Sequence, residues 1–214
     1  MDGIKLQNSL YLGLGRSARH IGRSADAFRP VGPFQPLDPQ NRFLRLPATF
    51  VTTKGNDSQT NTHGQALWYG IFDGLYTRVG DYLVLETGTF FVASQAPLLP
   101  ILCVQTNRTI SITRPNMQTT TAANTYGGYT SISSVLLMSG WPASLVGENR
   151  SSTSETGLPS DQTSPYWAVL VPAPAGILLS PGDLVADDLG RTAVITGSEL
   201  TDLGWRISAK RATT

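Results

Sequence analysis

The residue types that carry most protein chemistry are few in this chain and poorly spaced for it. His20 and His63 are the only histidines and Cys103 the only cysteine. A transition-metal site draws three or four such ligands at short, recognisable spacings, and these three residues provide none, so neither a metal nor another cofactor is expected. Cys103 follows the apolar run Leu98-Leu99-Pro100-Ile101-Leu102. That is the setting of a buried, inert thiol, because a nucleophilic thiolate needs electropositive, partly exposed surroundings. Gly13-Leu14-Gly15-Arg16-Ser17-Ala18 has the spacing of a dinucleotide fingerprint, but no buried strand precedes it and no βαβ pattern surrounds it. Neither a G-x-S-x-G elbow nor a phosphate-cradling P-loop occurs. Asp187-Asp188 could be read as an acid/base or metal-binding pair, yet it stands just before Gly190 in a hairpin-like segment, where a turn role is expected. Asp81 and Asp183 are expected to accept backbone amides at strand entries, as Asx residues do. No catalytic residue is assigned, and an enzyme is not expected.

Two sets of residues remain as candidates for binding. Trp68, Trp141, Trp167 and Trp205 invite a carbohydrate-platform reading. Three of them lie within or beside apolar strands, where core packing is the default; Trp141, in Ser-Gly-Trp-Pro, is the one best placed for an exposed contact. The second set is basic. The 16 basic and 15 acidic residues nearly cancel, so the whole chain is not an electrostatic nucleic-acid binder. Residues 1–50, however, hold Lys5, Arg16, Arg19, Arg23, Arg29, Arg42 and Arg45 against Asp2, Asp26 and Asp38, a local charge of +4 that leaves −3 for the rest. Such polarity points to an acidic partner surface or a phosphate backbone, with Arg16, Arg19, Arg23 and Arg29 as the contacts. For any single arginine, a solvated helix face is the plainer account.

The elements that position these residues follow from periodicity. Leu10, Leu14, Ala18, Ile21 and Ala25 recur at three- and four-residue spacing and predict one face of a helix, with Arg16, Arg19 and Arg23 off that face and Gly22 as its stop. Residues 30–47 carry five prolines, which fix φ and remove amide donors. This predicts a stiff extended strap lying against the body. Residues 54–64, 116–128 and 147–165 are polar and read as loops. Short β-type runs lie between them: 66–72, 82–85, 89–94, 109–113, 131–138, 166–171, 183–186, 192–196 and 205–209. Only three lysines and four glutamates occur in 214 residues, against the composition of solvated helices. The expected fold is therefore mainly β: a barrel- or sandwich-like body (66–214) with an N-terminal basic helical arm (1–29), a Pro-rich extended strap and polar loop (30–65), and long surface loops.

An internal echo divides the β body. GDYLVLETGTFFVAS (80–94) and GDLVADDLGRTAVIT (182–196) share Gly80/Gly182, Asp81/Asp183, Gly88/Gly190 and Val92/Val194 at constant offset. Each reads as strand, acidic turn closed by a glycine, strand. Two related β units, 66–115 and 166–210, would explain it; independent recurrence of a common hairpin explains it equally well. Residues 1–15 lack the pattern of a secretory signal, and the longest apolar run, 98–104, is far short of a membrane helix. A soluble protein made in a cytoplasm, with no membrane partner, is expected.

The segments PLDPQNRFLRLPATF (36–50), ALWYGIFDGLYTRVGDYLV (66–84), FFVASQAPLLPILCVQTNRTISITRP (90–115) and GDLVADDLGRTAVITGSELTDLGWRIS (182–208) together resemble structural proteins of tailed bacteriophages and prophages. The hairpin type G-D-x-V…G-x-x-x-V is similar to that of head–tail joining, stopper-like proteins of the neck. The resemblance implies a β-rich virion protein, assembled in the bacterial host cytoplasm. Its partners would be copies of itself in a symmetric ring, a portal or adaptor protein, and a tail or tail-terminator protein, with non-specific contact to the packaged DNA. A tail-tip carbohydrate- or receptor-binding module using Trp141, and a capsid-associated minor head protein, are the alternatives. No family site residues carry over, since the matching motifs are not catalytic.

Overall fold

The structure, a computed structural model, describes residues 3–52, 66–116, 133–148 and 166–211. One helix, α1 (Gly3–Ile21), precedes twelve strands: β1 (Arg23–Phe28), β2 (Arg42–Thr52), β3 (Leu67–Ile71), β4 (Tyr82–Leu85), β5 (Gly88–Ser94), β6 (Ile101–Gln105), β7 (Arg108–Asn116), β8 (Ser133–Glu148), β9 (Tyr166–Val171), β10 (Leu184–Asp187), β11 (Thr192–Thr201) and β12 (Gly204–Arg211). The protein is mainly β, as composition implied. The strands close into two antiparallel six-stranded barrels, ordered β1-β2-β3-β6-β5-β4 and β7-β8-β9-β12-β11-β10.

The two cycles are the same cycle. Their registers correspond ladder by ladder: Ser24 pairs with Pro47 as Thr109 pairs with Pro142, Thr52 with Trp68 as Gly147 with Trp167, Trp68 with Cys103 as Trp167 with Ala209, and Phe28 with Tyr82 as Thr113 with Leu184. Bulges recur too. The register slips between Ala27 and Phe28 and again between Ile112 and Thr113; it slips between Val92 and Ser94 and again between Ile195 and Gly197. The two barrels thus share one plan, and the echo follows it only in part: Gly80/Gly182 and Asp81/Asp183 are equivalent, whereas Phe91 answers to Val194 and Val92 to Ile195, one residue away from the offset of the echo. The glycines that closed the echoed turns have positive φ, +149° at Gly88 and +72° at Gly190, a conformation that L side chains resist.

Several boundaries differ from the sequence expectation. The barrels begin at residues 23 and 108 rather than 66 and 166, because β1 and β2 lie where an arm and a strap were expected. The strap region therefore ends in a strand. Pro47 is tolerated there because the β2–β3 ladder begins only at Thr49, and Pro142 likewise precedes the β8–β9 ladder, which begins at Ser144. The expected loops at 54–64, 116–128 and 147–165 fall outside the described residues, apart from the strand ends Asn116, Gly147 and Glu148.

Helix α1 is docked, not a free arm, and the face it buries is turned partly away from the expected one. Ala18 is buried and Leu14 packs on the core as expected, and Tyr11 and Gly15 are buried as well, whereas Leu10 is exposed and Ile21 is 63% exposed; Ala25 belongs to β1. The buried stripe is built from small residues so that the backbone can approach closely. A Cβ on Gly15 would come within 2.9 Å of the Asp73 side chain, and one on Gly74 within 2.8 Å of the Tyr11 ring. Gly22 ends the helix as expected, its amide bonded to the Ala18 carbonyl at 2.7 Å.

Each barrel has its own interior. Ala25, Ala27, Leu46, Phe72, Leu83, Leu85, Phe90, Val92, Ile101 and Cys103 fill the first. On β4, β5 and β6 the alternate residues Tyr82, Phe91, Ala93 and Val104 point outward, and they are buried as well, packed into the core of the second barrel. Being covered on both faces explains why 82–85, 90–93 and 101–104 read as unbroken apolar runs.

Candidate interaction surface

The candidate residues separate into two groups once the fold is known. Arg29 belongs to the framework. Its Nε and Nη2 donate to the two carboxylate oxygens of Asp81 at 2.9 and 2.7 Å, Nη2 also reaches the Tyr76 carbonyl at 3.1 Å, and the guanidinium lies 4.3 Å from the Phe43 ring centre. Asp81 is 1% exposed and accepts the Arg78 amide as well. The second barrel repeats this clasp: Arg114 Nε and Nη2 donate to Asp183 at 2.7 and 2.8 Å, Nη2 reaches the Leu178 carbonyl, and the Ser180 amide completes the carboxylate. Bidentate, charge-assisted bonds of this kind fix a guanidinium in place, and they raise the pKa of both arginines above its ordinary value. The expectation that Asp81 and Asp183 accept strand-entry amides is met. Their arginine partners were missed because each lies more than fifty residues away in sequence.

Trp141 is also structural. It is 1% exposed, so the expected exposed contact is overturned, and with it the residue on which a tail-tip carbohydrate site would depend. Its ring packs edge-on against Tyr82 at 6.1 Å, and its Nε1 donates to the Pro33 carbonyl at 2.6 Å. A bulge unique to β8 makes room for the strap. Gly140 has φ +73°, and the Gln35 side chain lies where its Cβ would be. Ser139 then exchanges backbone bonds with Pro33 and Gln35. Tyr82 donates its hydroxyl to the Pro142 carbonyl at 2.7 Å, and Asn107 bonds Leu145 through both its side-chain oxygen and nitrogen. Together these contacts form the joint between the barrels.

Of the residues with conventional reactive groups, Cys103 and Asp187 are sealed or occupied, whereas His20 is exposed on α1. Cys103 is fully buried, which pushes its thiol well above the ordinary range. Asp187 accepts the Leu189 and Arg191 amides and the Arg191 guanidinium, the turn role expected of it. Burial acts to raise its pKa, but the Arg191 bonds and the Leu189 amide outweigh that and hold it below the ordinary carboxylate value. Among the described residues, no three His, Cys, Asp or Glu side chains cluster as a metal site would require. His63 lies outside those residues. No described helix is long and apolar enough to cross a membrane.

The cations on and beside α1 form the second group. Arg42 and Arg45 share the one carboxylate of Asp26, at 2.8 and 2.7 Å, and the bond from Arg45 leads the influences that lower the pKa of Asp26. Lys5, Arg16, Arg19 and Arg23 are exposed and make no ion pair or side-chain hydrogen bond among the described residues. The polarised charge of the sequence therefore resolves into a basic helix face. Arg16, Arg19 and Leu12 of α1 border a cleft of about 390 Å³, whose other wall is Leu44, Arg45, Leu46 and Pro47 of β2, with Asp73 and Tyr76 beside them.

Fold and surface define a tandem β-barrel protein carrying a docked basic helix. Comparison with protein families, curated proteins and solved structures finds no match to this chain.

Proposed function

We propose that this chain is a structural protein of the neck of a tailed bacteriophage virion. It forms a symmetric ring that joins the portal and head to the tail and lines the DNA passage. The observation that carries this reading is the resemblance of the four quoted segments to phage head–tail joining proteins; those segments supply strands to both barrels. The geometry is suited to the task. The two barrels, each braced by its own arginine clasp, are joined by a shared core and a strap, giving a stiff block. A basic face with unpaired guanidiniums offers a surface for an acidic portal or tail partner, or for phosphates of passing DNA. A ring subunit needs two different surfaces for its neighbours, since a head-to-tail contact is heterologous.

Deleting the gene from the phage or prophage that carries it tests the reading. The expected result is DNA-filled heads and separate tails in electron micrographs, with the tagged protein at the neck of complemented particles. Joined, infectious particles lacking the protein, or a tag located at the tail tip or on the capsid shell, would overturn it.

A further inference from the structure

The shared plan of the two barrels gives a way to ask which surface is built to receive another element. Within the chain, the β8 edge Met138–Pro142 receives Tyr82 and the Pro33–Gln35 strap. Register equivalence identifies the same edge on the first barrel. Ala25 pairs with Leu46 where Ile110 pairs with Trp141, and Ala27 with Leu44 where Ile112 pairs with Met138. The counterpart edge is thus Leu44–Pro47, the β2 wall of the cleft beside α1. On the second barrel this edge is covered by the first barrel; on the first, Leu46 is buried beside α1 and the edge borders a cleft with Arg16 and Arg19 on its rim.

The rim selects for charge. Arg16 and Arg19 carry unpaired charges on it, Asp73 is the one carboxylate of the lining, and Arg45 is bound to Asp26. The chain itself exposes a matching segment, Glu199-Leu200-Thr201-Asp202, at the tip of the β11–β12 hairpin. Leu200 is 56% exposed, Glu199 and Asp202 are exposed, and neither acid forms an ion pair among the described residues, although Arg206 lies across the ladder from Glu199. The tip is preorganised. Thr201 Oγ1 donates to the Gly204 carbonyl at 2.8 Å and accepts the Leu203 amide at 3.2 Å, and Leu203 packs on the core. Repeating the internal joint literally would instead bring the outer face of β10–β12 to α1. That face carries Arg206 and Lys210 and would meet Arg16 and Arg19 with like charge.

We infer that the cleft between α1 and Leu44–Pro47 is a docking site for the Glu199–Asp202 hairpin tip of a second copy of this chain. Leu200 enters beside Leu12, and the two carboxylates meet Arg16 and Arg19. The contact is heterologous and propagates from copy to copy. Choosing a second copy rests on the ring reading above.

The test uses the purified full-length chain in sedimentation velocity or light scattering at low salt. Wild type should self-associate. R16E/R19E and E199R/D202R, all exposed positions, should each be at least tenfold weaker, because each places like charges across the contact. An equimolar mixture of the two variants should associate again, since each then offers the complement of the other. Unchanged association of either variant, failure of the mixture to recover, or a wild type that stays monomeric at high concentration would overturn the contact. Each of these results leaves the neck location to be judged by electron microscopy of particles, where an assembled ring built through other surfaces would still be visible.

Discussion

The two barrels share a plan while sharing almost no interior. Ala25 and Ala27 of the first correspond to Ile110 and Ile112 of the second, Leu46 to Trp141, Phe50 to Leu145, Cys103 to Ala209 and Leu85 to Asp187. Small residues on one strand are offset by aromatic ones elsewhere; the first interior stacks Phe50 on Phe90 at 3.7 Å, with Trp68 edge-on to Phe90. Cores tolerate such exchange when volume and pattern are kept. What did not drift is the set of features that fixes register: two bulges, a proline before the third-strand ladder, and an arginine clamped on a buried aspartate at the fourth strand. In this architecture the clasp and the bulges specify the barrel, and the filling only has to fit. The outer faces diverged for a different reason. Tyr82, Phe91 and Val104 are apolar because the second barrel covers them, whereas their counterparts Leu184, Val194 and Lys210 are partly or fully open to solvent.

Trp141→Ala is the substitution expected to separate the barrels most sharply. It removes a buried indole from the joint and a hydrogen bond to the strap, and a cost of about 3–5 kcal/mol is expected. Because the joint core runs continuously from the first barrel into the second, wild type should unfold in a single transition in urea. The variant should show two. A single transition with an unchanged midpoint would mean that the barrels do not depend on this joint.

Breaking a clasp comes next. Asp81→Ala and Asp183→Ala each strip a partly exposed arginine and a strand-entry amide of a buried carboxylate, and a loss of about 1–3 kcal/mol is expected for each. The duplicated geometry implies similar values. If Asp183→Ala were silent while Asp81→Ala was severe, the clasp would be specifying the joint near Tyr82 rather than the barrel itself, and the comparison would have to be redrawn.

Much of the fold could be read from local pattern. The bounds of β4 and β9 follow from their apolar runs, and the echoed hairpins follow from Gly-Asp entries and turn glycines. The residues that could not be read owe their state to distant partners. Arg23–Phe28 contains two alanines and an aspartate and has no strand signature of its own; it is a strand because β2 and β4 flank it. Leu44–Pro47 resembles a strap because its proline is harmless only where a third strand stops short. Trp141 resembles a surface residue because the group that buries it, Tyr82, and the carbonyl that satisfies it, Pro33, are supplied by the other barrel. On α1 the apolar spacing marks Leu14 and Ala18 of the buried face but not Tyr11 and Gly15, since close approach there depends on a residue without a side chain. Arg16, Arg19 and Arg23 were identified correctly as exposed, but only the structure shows that Arg29 is not one of them.

Acid should act on sites that the barrels do not share. Asp187 has Leu85 as its counterpart, so the Asp187–Arg191 bond exists only in the second barrel, and Asp26, bound by Arg45 and Arg42, has Ser111 as its counterpart and exists only in the first. Both carboxyls are held below their ordinary value. Their stabilisation is therefore fully present above the unfolded value of about 4 and is lost as pH falls through the lower, folded value. Thermal midpoints should be flat from pH 7 to 5 and decline below about pH 4. Removing both charges of the second site, Asp187→Leu with Arg191→Thr, should flatten part of that decline. An identical acid profile in the double variant would show that Asp187 contributes nothing to it.

The smallest effect expected is at the Tyr82 hydroxyl, and it discriminates between barrel and joint. Tyr82→Phe keeps the ring against Phe91 and Trp141 and removes only the bond to the Pro142 carbonyl, a loss of about 1 kcal/mol. This should appear as a lower urea midpoint with an unchanged slope, since the folded state buries the same surface. The counterpart change, Leu184→Tyr, adds the ring and hydroxyl to a half-open face with no second barrel against it, and stability should stay within about 0.5 kcal/mol of wild type. A loss at Leu184 as large as that at Tyr82 would mean that the position matters to every barrel of this plan; a loss at Tyr82 alone assigns the hydroxyl to the joint.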